Sequence, residues 1–139
     1  MKLSRGLKSS AINKNDAAIS QNVVEEVFFK RLYMETKRIY GKTGKYRTKE
    51  NFIRNPEKFG LVKEYIEGFL IESIEQDIIE LLEVNEDILR DSVKVSFTYR
   101  LLPNDALIAA TCKYYGIRKI ATFDEDFDRA RFLERVNVR

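Results

Sequence analysis

Short apolar runs that alternate with stretches of helical periodicity are the feature that most restricts the fold of this chain. The run at 78–82 contains β-branched residues, and residues 118–122 and 17–19 form similar brief segments. Apolar side chains recur at helical spacing from Val23, which predicts a helix that ends at Gly41. Strands this short between helices are typical of a parallel sheet covered on both faces. The sequence therefore predicts a three-layer α/β/α fold with a central parallel sheet.

Caps and chain breakers define the remaining elements. Asn22 and Glu25 fit a capping box at the start of the first helix, with Ser20 as another capping oxygen. Asn85 is placed to cap a helix that reaches about Arg100. The other predictions are a turn-rich segment over 1–16, a basic loop over 41–51, a helix after Pro56, a helix over 105–115 closed by Gly116, and a last helix or strand to Arg139.

The length of the chain and its composition indicate one globular domain. At 139 residues, of which 44% are hydrophobic and 34% charged, the chain is suited to a single domain over residues 1–139 with its own core. No uncharged apolar run reaches the length of a membrane span, and no secretory leader is recognisable. With one cysteine there is no internal disulfide, which favours a cytoplasmic location.

The sequence contains no histidine, and this limits its chemistry more than any other number. Serine–histidine and cysteine–histidine nucleophile pairs and the histidine zinc sites of metalloproteases are all excluded. Cys112, next to Thr111 on a predicted helix, is expected to be a small buried hydrophobe. Any chemistry must then use carboxylates, lysines, hydroxyls or a cation held by oxygen ligands, such as Mg²⁺ or Mn²⁺.

Two aspartates occupy positions where the backbone would hold them firmly. Asp105 falls in the first turn of its predicted helix, where the amide groups favour an ionised carboxylate. Asp124 follows the strand predicted at 118–122, in an acidic turn that also contains Asp126. Ligands bind at the carboxyl ends of parallel strands, so this turn is a candidate site. Each aspartate also has a simpler interpretation as a helix cap or a solvated turn residue.

The motifs in the carboxyl-terminal half carry a family resemblance. PNDALIAAT at 103–111, followed by IATFDEDF at 120–127, resembles the carboxyl-terminal half of PIN-domain proteins. Upstream, ISQNVVEEV at 19–27 is similar to the second strand and following helix of the same family. The resemblance extends from about Asn15 onward. The family includes VapC-like toxins and nucleases that process ribosomal RNA.

This resemblance implies a set of site residues. By position, Glu26, Asp105 and Asp124 match catalytic and metal-binding acids of the family, Asp126 matches an accessory metal ligand, and Thr122 matches a hydroxyl near the site. It also implies a PIN-like fold and an Mg²⁺- or Mn²⁺-dependent attack of water on a phosphodiester bond. The family's first strand and its Asp have no counterpart here, and residues 1–15 resemble the stretch that follows them. We therefore expect an amino-terminally shortened PIN-like domain.

A short basic interval is the candidate RNA-binding surface. Lys42, Lys45 and Arg47 surround Tyr46, and this mixture of cations and an aromatic ring suits single-stranded RNA. A solvated loop explains the same residues equally well, because the net charge of the chain is only +3.

Two functions remain open at the level of sequence. The first is a metal-dependent endoribonuclease that acts as the toxin of a VapBC-type toxin–antitoxin pair. The alternative is a catalytically inactive PIN-like module that binds RNA or protein, which the missing first-strand Asp favours. The partners expected are RNA, an antitoxin protein, and further copies of the chain in a homodimer or higher oligomer, because an uncovered sheet edge favours association.

Overall fold

The computed structural model describes residues 17–136. They belong to two compact units, an amino-terminal unit of residues 17–81 and a carboxyl-terminal unit whose described part is residues 82–136. The turn-rich segment predicted over 1–16, and with it the prediction of a missing first strand, lies outside the described residues. The organisation of residues 1–139 as a single domain stays a prediction.

The amino-terminal unit is mainly helical, with one strand at its start and one at its end. Its elements are strand β1 (Ala17–Ser20), helices α1 (Gln21–Tyr40) and α2 (Lys45–Arg54), a 3₁₀ helix (Pro56–Phe59), helix α3 (Gly60–Tyr65), a π helix (Ile66–Ile71), helix α4 (Glu72–Glu75) and strand β2 (Ile79–Leu82). The predicted strands at 17–19 and 78–82 and the predicted helix after Pro56 are confirmed.

The core of this unit follows a helical stripe. Phe59, Val62, Ile66 and Leu70 are each no more than 5% exposed, and their spacing of three or four residues places them on one helix face. Partly buried hydrophobic residues from β1, α1, α2 and β2 pack against this stripe. Burial of the stripe therefore stabilises the helices, of which several are too short to persist alone.

The basic loop predicted over 41–51 is wrong for most of its length. Gly41 ends α1 with a left-handed φ of 78°, as expected, but helix α2 already begins at Lys45. Thr48 is buried on the inner face of α2, and Phe52, one turn later, packs against the core. Burial of these two side chains stabilises the helix, whereas the high density of charge in the interval suggested a solvated loop.

The cap of α1 also differs from the predicted capping box. The helix begins at Gln21, so that Ser20 is the N-cap and Asn22 lies in the first turn. The Ser20 hydroxyl donates to Asn22 Oδ1 at 2.7 Å. The helix follows the strand Ala17–Ser20 directly, and it starts two residues before the Val23 that the Asn22–Glu25 pair predicts.

The carboxyl-terminal unit places its two longest helices next to each other. Its elements are α5 (Glu86–Tyr99), α6 (Pro103–Tyr114), β3 (Lys119–Ala121), a 3₁₀ helix (Glu125–Arg129) and β4 (Glu134–Val136). The Asn85 side chain accepts a hydrogen bond from the Ile88 N–H at 2.9 Å, which confirms the predicted cap. Gly116 has the left-handed φ of 73° expected just after the end of α6.

Small side chains on α6 allow it to pack closely on α5. Ala106, Ala109 and Ala110 are at most 1% exposed, and Ile88 and Val95 of α5 are nearly as well buried. Close approach of two helix backbones is possible where such residues meet, because little side-chain volume separates them. The start of α6, where Asp105 lies, is therefore firmly attached to the unit.

Among residues 17–136 the strands pair two by two, β1 with β2 and β3 with β4. Strands β3 and β4 are parallel, with Ile120 opposite Arg135. The last element, which the sequence predicted as either a helix or a strand, is thus strand β4. Within the same residues, no helix combines the length and apolar character needed to cross a lipid bilayer.

Candidate functional site

Three carboxylates of the carboxyl-terminal unit converge on one place. Asp105, Asp124 and Asp126 each offer an oxygen, and these oxygens lie within 4.8 Å of one another. Asp105 is half-buried, and the other two are exposed to solvent. The proximity of the NDALIAA helix to the acidic turn, expected from the sequence, is present in the structure.

Asp105 is positioned by the start of α6. The helix begins with Pro103, whose fixed φ and missing N–H suit a first helical position. Asp105 therefore lies in the first turn, where the backbone N–H groups and the helix dipole favour its negative charge. The neighbouring Ala106 is fully buried, which fixes the turn that carries the carboxylate.

Hydrogen bonds to its own turn hold Asp124. The Thr122 hydroxyl oxygen accepts from the Asp124 N–H at 3.1 Å, and Asp124 Oδ1 accepts from the Asp126 N–H at 2.9 Å. Asp124 thereby caps the 3₁₀ helix that follows. Thr122, predicted as a hydroxyl near the site, lies two residues before Asp124 and orders its backbone.

Two arginines donate hydrogen bonds to carboxylates of the acidic turn. Arg129 Nη1 donates to Asp126 Oδ1 at 3.1 Å. Arg135 donates twice to the carboxylate of Asp128 at 3.0 Å, and this hydrogen-bonded pair lowers the pKa of Asp128 below its ordinary value. Asp128 is thus engaged by Arg135 and is not one of the three clustered carboxylates.

The donor set of the cluster suits a hard divalent cation. Carboxylate oxygens are the ligands that Mg²⁺, Mn²⁺ and Ca²⁺ prefer, and the three clustered residues offer neither nitrogen nor sulfur. Three negative charges this close repel one another, so a cation among them would lower the electrostatic energy. The residues present therefore fit the metal that the sequence resemblance implies.

Glu26 belongs to the other unit. It is an exposed residue in the second turn of α1, and its place in the site stays a prediction. Its neighbour Glu25 is exposed as well.

The four predicted RNA-binding residues lie at the surface of the amino-terminal unit. Lys42, Lys45, Tyr46 and Arg47 are all exposed, and Tyr46 is 72% accessible. Lys45, Tyr46 and Arg47 form the first turn of α2 instead of a loop. Their role in binding RNA stays a prediction.

Sequence reasoning missed an apolar cavity beside this basic turn. A cavity of about 540 Å³ lies between α1 and α2, and its lining residues are Phe29, Leu32, Lys45, Tyr46, Thr48, Lys49, Phe52 and Ile53. The signal in the sequence was the helical spacing of Lys45, Thr48, Lys49 and Phe52. It was overlooked because this interval was interpreted as a loop.

Comparison with known proteins identifies relatives of the chain. Ribonuclease VapC6 of Methanocaldococcus jannaschii is 38% identical over 81 residues, covering 58% of this chain and 53% of that protein. Ribonuclease VapC2 of the same organism is 41% identical over 76 residues, covering 50% of this chain and 51% of that protein. The chain thus spans about half the length of the curated relatives it matches. No solved structure matches it significantly.

The family itself is shown by a match over most of the sequence. The family model described as PIN domain matches residues 4–133, and so begins earlier than the resemblance recognised from about Asn15. This match confirms the suspected family and, with helices alternating with parallel strands, the predicted α/β/α fold class. The chain belongs to the PIN domain family.

Proposed function

We propose that this chain is a metal-dependent endoribonuclease that hydrolyses RNA phosphodiester bonds, and that it is the toxin of a VapBC-type toxin–antitoxin pair. The observation that supports this most directly is the convergence of Asp105, Asp124 and Asp126 within 4.8 Å in a member of the PIN domain family. The relatives named Ribonuclease VapC6 and VapC2 support the same reaction class and biological setting.

In this proposal Asp105 and Asp124 would hold Mg²⁺ or Mn²⁺, with Asp126 as a further ligand. Glu26 would help to orient this ion, a role that rests on the family resemblance alone, and Thr122 keeps Asp124 in position by accepting a hydrogen bond from the Asp124 N–H. A bound divalent ion supplies two things: it stabilises charge on the phosphate and lowers the pKa of bound water, to about 7 in the best cases.

A water nucleophile is consistent with the other groups that the chain offers. There is no histidine, and burial raises the pKa of the Cys112 thiol to about 11. A buried neutral thiol is a poor nucleophile, so a covalent cysteine intermediate is not expected. In this proposal cleavage leaves a 5′-phosphate and a 3′-hydroxyl.

The exposed basic turn is the proposed contact for the RNA strand. Phosphates would pair with Lys42, Lys45 and Arg47, and a base would stack on Tyr46. The exposure of all four side chains and their proximity in sequence support this assignment.

We extend the proposal to partners and location. An antitoxin protein and a second copy of the chain, in a homodimer or higher oligomer, are the protein partners. Exposed apolar side chains support association, for example Phe97 at 83% and Leu102 at 76% exposed. The single free cysteine is compatible with a reducing cytoplasm. Light scattering of the purified chain tests association, and a monomer at all concentrations would contradict it.

Cleavage of a generic single-stranded RNA, with and without EDTA, tests the proposed reaction. We expect cleavage by the wild-type chain with Mg²⁺ or Mn²⁺, none in EDTA, and none by Asp105→Asn. Asp87→Asn is the matched control, because Asp87 is an exposed aspartate of the same unit paired only with the surface cation Arg90 among the contacts described. Binding of RNA without cleavage by the wild type would instead indicate the inactive module.

A further inference from the structure

One guanidinium group connects the end of α5, which leads into the helix that carries Asp105, with the acidic turn that carries Asp124 and Asp126. Arg129 Nε donates to the Tyr99 carbonyl at 3.1 Å, Nη2 donates to the Arg100 carbonyl at 2.6 Å, and Nη1 donates to Asp126 Oδ1 at 3.1 Å. Both carbonyls lie at the end of α5, and the carboxylate lies in the acidic turn. The three hydrogen bonds use different N–H groups of the same rigid fork.

We propose that Arg129 is a positioning residue that sets the separation between Asp105 and the Asp124–Asp126 turn. The inference rests on the proposed metal-dependent function, because it concerns the same cluster. It assigns Arg129 no contact with RNA or with the cation.

The carbonyl side of the contact lies just before the start of α6. Helix α5 ends at Tyr99, its C-cap residue Arg100 has a left-handed φ of 59°, and the Leu101 N–H donates back to the Ser96 carbonyl at 3.1 Å. The last carbonyls of a helix have no partner within it, so the guanidinium satisfies two of them. From Leu101, which is 2% exposed, the chain enters α6 almost at once and reaches Asp105 in its first turn.

The carboxylate side of the contact controls the acidic turn. Asp126 accepts from Arg129 through its side chain and donates from its backbone N–H to Asp124. A displacement of Arg129 would thus move Asp126 and, through that N–H, loosen Asp124. One side chain therefore contacts both the end of α5, just before the helix that carries Asp105, and the acidic turn that carries Asp124 and Asp126.

A positioning role and a purely electrostatic role of Arg129 predict opposite changes in metal affinity when Arg129 is removed. A positive charge beside a cation site repels the cation, so an Arg129 that acts through charge alone would weaken metal binding, and its removal would strengthen it. A positioning Arg129 keeps the oxygens together, so its removal would weaken metal binding. Lysine separates the two roles further, since it keeps the charge but lacks the planar fork.

Titration with Mn²⁺ alone, followed calorimetrically or by the spin-resonance signal of the free ion, is the first measurement. We expect Arg129→Lys and Arg129→Gln each to raise the dissociation constant roughly 10- to 100-fold, the range for removing a partner that orients a metal ligand. Arg135→Lys is the matched control, because Arg135 also donates through its guanidinium fork to a carboxylate of the same turn, that of Asp128, which is not one of the three clustered carboxylates. The Mn²⁺ affinity of Arg135→Lys is expected to equal that of the wild type.

Hydrogen exchange on the metal-free chain is the second measurement. Arg129→Lys should speed exchange of the backbone amides over residues 99–106, and Arg135→Lys should not. The Tyr99 ring, whose centroid lies 5.5 Å from that of Phe132, is untouched in both variants, and circular dichroism verifies that they are folded.

The outcomes distinguish this inference from the proposed function. If the wild type binds Mn²⁺ and Asp105→Asn does not, while both Arg129 variants bind as tightly as the wild type or more tightly, the positioning role is overturned and the function stands. If the wild type binds no Mn²⁺, the proposed function fails. Exchange over residues 99–106 then decides the positioning role alone, and unchanged exchange in Arg129→Lys overturns it.

Discussion

Carboxylate oxygens of Asp105 and Asp124 lie within 4.8 Å of each other, although a helix and a strand separate the two residues in the chain. One is held by the first turn of α6, and the other by the turn after β3. Like charges held this close by rigid elements raise the energy of the metal-free fold. A cation that binds between them is therefore linked to the stability of the fold.

The first prediction concerns that linkage. Mn²⁺ at roughly 100 times its dissociation constant should raise the free energy of unfolding by about 2.7 kcal/mol, because it binds the folded chain and not the unfolded one. Asp105→Asn should abolish this increment. Thermal unfolding with Mn²⁺ and with EDTA measures it for both proteins, and an equal rise in the variant would remove Asp105 from the metal site.

The second prediction concerns the Thr122 hydroxyl. Thr122→Val keeps the shape of the side chain but removes the acceptor for the Asp124 N–H, at a cost of about 1 kcal/mol in stability and with weaker Mn²⁺ binding. Thr122→Ser keeps the oxygen and should restore both. Urea unfolding and Mn²⁺ titration provide the measurements. Wild-type affinity in Thr122→Val would show that the hydroxyl does not position Asp124.

The third prediction concerns Cys112 and pH. Burial raises the pKa of its thiol to about 11 from an ordinary value near 9, so the neutral thiol is favoured in the folded chain. The stabilisation is complete below about pH 9 and disappears as the pH rises through about 11, because only the unfolded thiol ionises readily in that window.

Comparison with Cys112→Ala isolates this contribution from other groups that titrate at high pH. The stability difference between wild type and variant should change across that window and be constant below it. A thiol reagent such as a disulfide dye should react with Cys112 only after unfolding. Fast reaction with the native chain would contradict the burial of Cys112.

The fourth prediction concerns the basic turn of α2. If Lys45 and Arg47 contact phosphates, their replacement by Ala should weaken binding of single-stranded RNA and reduce the slope of log affinity against log salt by about 0.7 for each phosphate that is no longer neutralised. Lys94→Ala is the control, an exposed lysine of α5 outside this turn. Fluorescence anisotropy over a salt series measures the slope. An unchanged slope in the α2 variants would exclude the turn from the interface.

Local rules in the sequence predicted the elements that depend on neighbouring residues. The Asn85 cap, the left-handed Gly41 and Gly116, and the helix after Pro56 need only short-range hydrogen bonds and allowed backbone angles. The start of α2 was not predicted, because Thr48 and Phe52 are recognisable as an inner face only when the core they meet is known.

The residues of the candidate site divide in the same way, into those that local patterns identify and those that only the tertiary structure reveals. Spacing and the NDALIAA and T-x-D motifs identified Asp105, Asp124, Asp126 and Thr122, since a motif is a local pattern with a family likeness. Arg129 was not identified, because its significance depends on the Tyr99 and Arg100 carbonyls, which are distant in sequence. Glu26 was named by the same kind of motif, and its role stays a prediction.

The sequence by itself determined the family, the fold class, and the absence of histidine chemistry, because composition, helical periodicity and short motifs are properties of the chain alone. Only the tertiary structure decided which carboxylates meet and which arginine contacts both Asp126 and the end of α5. The physical reason is that a separation of a few ångströms between oxygens depends on how α5, α6 and the acidic turn pack, and packing is a property of all these elements together.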